Sequence, residues 1–401
     1  MSQQPSSPSP GGHPPTGEER TPASAPRALL DGSAGLPASP TARAALDAAL
    51  DRGWADPTGL QHESRGAAAL LEAARASLGA AFGARPEQVH LRASGADALD
   101  AAIRGLLAGR ERAGRRLVVS AVEREAVLAT ARDHERHGGT TQIVGVDAWG
   151  RVDADAFSAA ATAPGTAVAV LQAANQEVGT TQPVEVVAAA LTRAGVPLVV
   201  DVAPLVGRVP LPAAGDALAA DARLWGGPPG VGVLVLPTGA RWRPAPGLPQ
   251  AEARPVPVPL VVAAAAALED ASRGAVEESV RLSALVDRVR AQVAATVPDA
   301  VVHGDPVDRL PHVVTFSCLY VDGEALVLEL DRLGLVVGSG SACTTEDLGP
   351  SHVLAAMGAL TQGNLRLALP PGTREADVDR LLAALPEVVA AVRERAGVVG
   401  L

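Results

Sequence analysis

Short apolar runs that alternate with amphipathic helical stretches predict an α/β fold. A second observation divides it: a Pro-rich stretch over 243–259 ends the alternation, and a smaller α+β pattern follows. The chain has 401 residues, 47% of them hydrophobic, enough for about two to three domain-sized units. Only 2% are aromatic, so the core has to be built from Ala, Val and Leu.

Residues 1–26 are rich in Pro, Ser and Gly and almost lack large apolar side chains. Such a segment buries too little surface to offset its ordering entropy, which predicts a disordered tail; a docking peptide is the other reading. Apolar runs at 117–120, 142–146, 167–171, 197–200 and 231–236 predict short buried strands. Between them, 124–135 and 184–194 carry helical periodicity, which makes β-α-β units and a mostly parallel sheet. After the Pro-rich break, a long Ala-rich helix is predicted to run to Val297, with Pro298 as its stop. Strands at 301–303, 313–317 and 365–369, with helices between, make the smaller unit. The sequence contains no internal repeat.

A net charge of −10 and a pI near 5.3 exclude a general nucleic-acid or anionic-membrane binder. The Arg residues are scattered among acids, as on solvated helix faces. Two cysteines, Cys318 and Cys343, make no disulfide framework. No basic start precedes an apolar segment, and the longest apolar stretch, 260–268, is far short of a membrane span. A soluble, cytoplasmic protein is expected, with no nucleic-acid or membrane partner. His134 and His137 have i,i+3 helical spacing but no third ligand nearby, so no metal is expected.

Lysine is absent: all 34 residues of the Lys+Arg class are Arg. No side chain can therefore form a Schiff base with an aldehyde, because a guanidinium stays charged up to a pKa of about 12.5–13.8. Drift from Lys to Arg under base-composition pressure is one explanation. Selection against lysine-directed modification is another.

Four segments, spaced in order along the chain, carry a resemblance. Leu30-Asp31-Gly-Ser-Ala-Gly opens the fold, and Asn175-Gln-Glu-Val-Gly179-Thr-Thr-Gln-Pro183 comes second. Val199-Val-Asp201 then leads to Val206-Gly-Arg-Val-Pro-Leu211. Last comes Gly338-Ser-Gly-Ser-Ala-Cys343-Thr-Thr, with Pro350-Ser-His-Val-Leu354 and Asn364-Leu-Arg366-Leu behind it. Over residues 28–395 these resemble the cysteine desulfurases, pyridoxal-phosphate-dependent enzymes of the class V aminotransferase fold.

The resemblance implies the fold of PLP-dependent transferases of type I. Its large domain, 41–257, would surround a mostly parallel seven-stranded sheet. A small domain would combine 27–40 with 260–401 and carry the Cys loop. Cys343 would be the thiol that forms a persulfide, and Arg366, with Asn175, would bind the substrate. Asp201 would pair the pyridinium nitrogen of the cofactor, and Gln176 would belong to the cofactor site. A dimer and a place in sulfur transfer, including iron–sulfur cluster assembly, are implied as well.

The departures fall on the cofactor site. Where the family has Ser-Gly/Ala-His-Lys, this chain has Ala220-Asp221-Ala222-Arg223. The phosphate turn Ser-Gly-Ala-Thr becomes Ser94-Gly95-Ala96-Asp97, and the histidine that stacks on the ring becomes Arg124. A glutamine three residues after the sheet aspartate becomes Pro204. The Arg-x-Gly-Thr segment that serves the neighbouring subunit's phosphate becomes Arg254-Pro-Val-Pro257. An ionised Asp97 about 4 Å from a phosphate charge would cost on the order of 4 kcal/mol at an effective dielectric near 20. That weakens binding by roughly three orders of magnitude.

No cofactor is therefore expected, and pyridoxal phosphate only if the family function is retained. The leading expectation is a degenerate desulfurase homologue that accepts a persulfide on Cys343, or that regulates an active desulfurase as its partner. An active cysteine desulfurase, turning cysteine into alanine and an enzyme-bound persulfide, is the alternative; a structural subunit without chemistry is another. The same residues have plainer readings: Cys343 as a small buried hydrophobe, Asp201 as a cap on nearby N–H groups, Arg366 as half of an ion pair. Cys318, within a strand, is expected in the core. A homodimer, or a heterodimer with an active homologue, is expected, with a sulfur-acceptor protein as a further partner.

Overall fold

The computed structural model describes residues 26–244, 256–340 and 350–398. The chain enters through β1 (Ala28–Leu29) and the helices α1 (Pro40–Leu50) and α2 (His62–Ala81). It continues with β2 (Val89–Arg92), α3 (Gly95–Gly109), β3 (Arg116–Ser120), α4 (Glu125–Arg136) and β4 (Thr140–Val144). Then come α5 (Ala154–Thr162), β5 (Thr166–Gln172), α6 (Val184–Ala194), β6 (Leu198–Asp201), β7 (Ala217–Asp221) and β8 (Gly232–Val235). These strands form one seven-stranded sheet in the order β2-β8-β7-β6-β5-β3-β4. Only the two pairings of β8 are antiparallel. The middle of the sheet is sealed on both faces, since every residue of β5 and β6 is buried.

Two more helices follow, α7 (Val258–Ser272) and α8 (Ala275–Thr296). The sequence predicts one long helix here. The structure breaks it at Gly274, whose φ of +74° is a left-handed conformation that glycine takes without steric cost. The two halves serve different cores. Val261, Ala264, Ala265 and Leu268 of α7 pack into the core of the large sheet. Leu282, Val286, Val289 and Val293 of α8 pack into a second core with Leu30, Phe316, Leu367 and Leu381.

That second core is covered by β9 (Ala300–Val302), β10 (Val313–Cys318), α9 (Gly323–Arg332), β11 (Leu335–Val336), β12 (Asn364–Ala368) and α11 (Glu375–Arg395), whereas α10 (His352–Ala356) packs Val353 and Leu354 against Val122 and Val178. Its sheet runs β12-β10-β9, antiparallel throughout, and β1 pairs with β11 beside it. The segment over 175–183 joins the two bodies. Thr315 donates to the carbonyl of Glu177 at 2.6 Å, and the amide of Leu310 donates to that of Gly179 at 2.8 Å.

Five strands of the large sheet lie at or near their predicted positions, and two were missed. β2, Val-His-Leu-Arg, sits at the sheet edge and is fully buried only at Val89, so no apolar run marks it. β7, Ala-Leu-Ala-Ala-Asp, is built largely of alanine, which has little strand preference. Both missed strands flank β8, and both deliver residues to the candidate site.

Candidate functional site

The carboxyl ends of β2, β3, β5, β6 and β7 open on one edge of the large sheet, the place where doubly wound folds bind ligands. Asp201 ends β6 and Asp221 ends β7. Arg92, the last residue of β2, and Asp221 each stand in register with Gly232 of β8. Gly232 allows that meeting: a Cβ there would fall 2.0 Å from the carbonyl oxygen of Ser94, at the start of α3. The seven-stranded sheet thus brings the candidate residues of both halves together.

Asp221 holds the first turn of α3. Its Oδ2 accepts the Gly95 N–H at 2.8 Å, across 126 residues of sequence. Its Oδ1 accepts from the amide and the Nε of Arg223, both at 3.1 Å, and the Arg223 Nη2 donates to Oδ2 at 3.3 Å. A Cβ at Gly95 would meet the Asp221 Cβ at 2.8 Å, so this approach requires glycine. Burial alone would raise the acid, but the Arg223 guanidinium and the two amides hold its pKa below the ordinary value. A helix N-terminus is a natural anion site. Here an internal carboxylate stands in it.

Asp97 differs from its sequence reading. The fork of Arg92 grips it at 2.7 and 3.1 Å, and the amide of Ala93 donates to it at 3.0 Å. The unneutralised charge assumed for it is therefore absent, and the cost reckoned from it does not apply. What faces the Gly95 amide is Asp221, a residue that sequence reasoning passed over.

Arg124, where the resemblance implies a stacking histidine, reaches Asp201 at 3.5 Å. Asp201 is 1% exposed, and its other tie is the amide of Ala203 at 3.0 Å. Burial raises its pKa, and Arg124 offsets part of that rise. Beside it, Glu123 accepts from Ser120 at 2.7 Å and from the amide of Gln172 at 3.0 Å. Complete burial pushes Glu123 up to about 8. Sequence reasoning missed this second buried acid.

Asn175 and Gln176 follow β5. The Nδ2 of Asn175 donates to the carbonyl of Val122 at 3.2 Å, and its Oδ1 accepts the amides of Glu177 and Val178. It braces a turn. Gln176 lines a small void with Ser33, Pro204 and His312, and its Oε1 has no hydrogen-bond partner among the described residues.

Cys343 lies outside the described residues, as does Arg254. The chain on either side of 341–349 is pinned. Asn364 Oδ1 accepts from Ser339 Oγ at 3.0 Å and from the amide of Gly340 at 2.5 Å. On the far side, Ser351 donates to Glu177 at 2.6 Å. Gly338 and Gly340 are close-approach glycines. A Cβ at Gly338 would meet Asp31 Oδ2 at 1.9 Å, and one at Gly340 would meet Glu177 Oε1 at 2.0 Å. Arg366 forms an ion pair with Asp31 at 3.0 Å. Cys318 is buried in β10, and burial pushes its thiol up to about 11. The ring of His134 meets the carbonyl of Arg115 at 2.8 Å. No group of three or more metal-binding side chains gathers among the described residues.

The aminotransferase class-V family model matches residues 29–381. A cysteine desulfurase of Cereibacter sphaeroides is 37% identical over 92% of this chain and 97% of its own. The chain belongs to the cysteine desulfurase family. An IscS-like cysteine desulfurase of Mycobacterium tuberculosis is 34% identical over 92% of this chain and 98% of its own. Among solved structures, a NifS-like protein superposes with a TM-score of 0.83 over 91% of this chain and all of its own, at 22% identity. That likeness bears on the fold: a class V aminotransferase architecture with a mixed, mostly parallel seven-stranded sheet.

Proposed function

We propose that this chain acts in sulfur transfer as a persulfide acceptor, or as the regulatory partner of an active desulfurase, without cofactor chemistry of its own. The observation that carries the reading is Arg223 held on Asp221, with Asp221 in turn on the Gly95 amide. Pyridoxal phosphate does not fit these residues. Its phosphate would compete with a carboxylate for the α3 N-terminus, and its aldehyde would meet a guanidinium that forms no imine. Arg124 stands 3.5 Å from Asp201, the acid that would pair the ring nitrogen, and the Oδ2 of that acid has no hydrogen-bond partner among the described residues.

The other reading, an active cysteine desulfurase, is favoured by the 37% identity to a curated one. It requires the cofactor to displace Asp221 from Gly95 and to work without a lysine.

In the acceptor reading, the Cys343 thiolate attacks the outer sulfur of a donor persulfide. The donor's S–S bond breaks, its thiolate leaves, and Cys343 carries the persulfide, with no net change in oxidation state. Incubation with an active desulfurase and cysteine should label Cys343 and leave Cys318 bare, read by mass spectrometry of the alkylated peptides. In the native protein Cys343 should also alkylate much faster than Cys318, which is buried and poorly ionised. Sulfide or alanine release by the chain alone, dependent on pyridoxal phosphate and lost in Cys343→Ala, would establish the enzyme reading. Equal protection of both thiols with no sulfur transferred would favour a structural subunit.

A dimer across the large domain, with itself or with an active homologue, completes the proposal. Leu50, Trp54 and Leu60 support it, being large apolar side chains 54%, 69% and 87% exposed on that domain. Sedimentation at micromolar concentration should give the dimer mass. A monomer, alone and with the homologue, rejects it. No helix among the described residues is long and apolar enough to cross a membrane.

A further inference from the structure

A cavity of about 740 Å³ lies at the junction of the two cores, and neither Asp221 nor Arg223 lines it. Its size is that of small-molecule sites, about 300–1,000 Å³. Trp225, Ala271, Leu282 and Pro370 give it an apolar body. Most of its charged lining is already neutralised: Asp270 by Arg273, Glu278 by the fork of Arg281, and Arg374 by Asp377.

Arg208 is the exception. It is 9% exposed, and no carboxylate among the described residues comes within 4.0 Å of it. The one hydrogen bond its guanidinium donates among the described residues is a long one, to the carbonyl of Leu369 at 3.5 Å. Glu278 attracts it from a distance, but both Glu278 oxygens are taken by Arg281, and one also by the amide of Gly372. His312, 5% exposed, lines the same cavity with Nδ1 unpartnered among the described residues. Burial and Arg208 together keep that ring neutral. A buried cation and an unsatisfied imidazole therefore share one wall of an apolar chamber, where an unpaired charge is costly.

We infer that this cavity binds a small organic anion with an apolar body, its carboxylate or phosphate seated on Arg208 beside His312. A guanidinium offers two parallel N–H donors to either group, which fixes the anion and leaves the body against Trp225 and Leu282.

Calorimetry and thermal shift on the full chain test this with benzoate, phenyl phosphate and the uncharged benzamide. Benzoate, phenyl phosphate or both should bind and raise the melting temperature, and benzamide should not. The better ligand of the two anions tells carboxylate from phosphate recognition. Arg208→Met should weaken that binding by at least about tenfold, the scale of one charge-assisted hydrogen bond. Ala271→Leu, which narrows the chamber and leaves Arg208 in place, should weaken it as well and carries the test if Arg208→Met does not fold. Failure of both anions to bind at millimolar concentration overturns the inference, as does benzamide binding equally well. Binding unchanged in both variants overturns it too.

Discussion

Pyridoxal phosphate added to the purified protein is expected to leave the absorption spectrum of the free aldehyde, with no band from a side-chain imine. No lysine exists to form one, and the one primary amine of the chain is its N-terminal amino group. Borohydride reduction followed by peptide mapping should therefore fix the cofactor at that terminus or nowhere. Sulfide release from cysteine should fall at least about three orders of magnitude below a lysine-bearing relative, the scale on which one proton-transferring side chain contributes. Restoring the lysine should not be enough. In Arg223→Lys the ammonium would inherit Asp221 as its partner, and a paired ammonium is a protonated, unreactive amine. Asp221→Gly with Arg223→Lys removes that partner and frees the Gly95 amide, and it should regain a reducible imine at position 223. An imine on Arg223→Lys alone would show that Asp221 does not obstruct the site.

How much of this was legible in the sequence depends on the distance over which each residue acts. The parallel strands β3, β5 and β6 announced themselves as apolar runs because both of their faces are buried. β2 and β7 did not, for want of such a run or of strand-forming residues. The split between α7 and α8 turned on Gly274 alone, a glycine among helix formers whose conformation only the packing of two separate cores demands. The candidate site divides the same way. Arg223, Arg124 and Asp201 could be picked out one at a time from local motifs, and the sheet brings them to one edge. Asp221 acts on Gly95 from 126 residues away. Read in one dimension it is only a polar residue between two alanines. Asp97 shows the converse error: its charge was legible, but its neutralisation by Arg92 needed the turn between β2 and α3. Arg208 went unweighed within its motif because its singularity is the lack of a counter-ion among the described residues, and a missing partner leaves no mark on a sequence.

Removing the Asp221 carboxylate should be among the costlier single changes at this edge. Asp221→Ala strands the Gly95 N–H at a buried helix start and takes away the cap on the Arg223 amide. Each lost cap of this kind costs about 0.5–2 kcal/mol, and an unsatisfied buried donor about 1–3. The ion pair adds little, since the Arg223 side chain is 45% exposed and screened by water. A loss of about 2–3 kcal/mol in urea unfolding is expected, and about half of that for Asp221→Asn, which keeps an acceptor but not the charge. The acid dependence carries the same signature. The folded pKa of Asp221 lies below its ordinary 3.8, so its contribution is complete above that value and fades as pH falls through the folded pKa. Parent and Asp221→Ala should therefore differ by a constant amount near neutrality and converge only below pH about 4. If the carboxylate stands in for an anion at α3, inorganic phosphate should stabilise Asp221→Ala more than the parent. An Asp221→Ala protein as stable as the parent, and indifferent to phosphate, would mean that the first turn of α3 needs no anion. The case that Asp221 blocks the cofactor would then lose its ground.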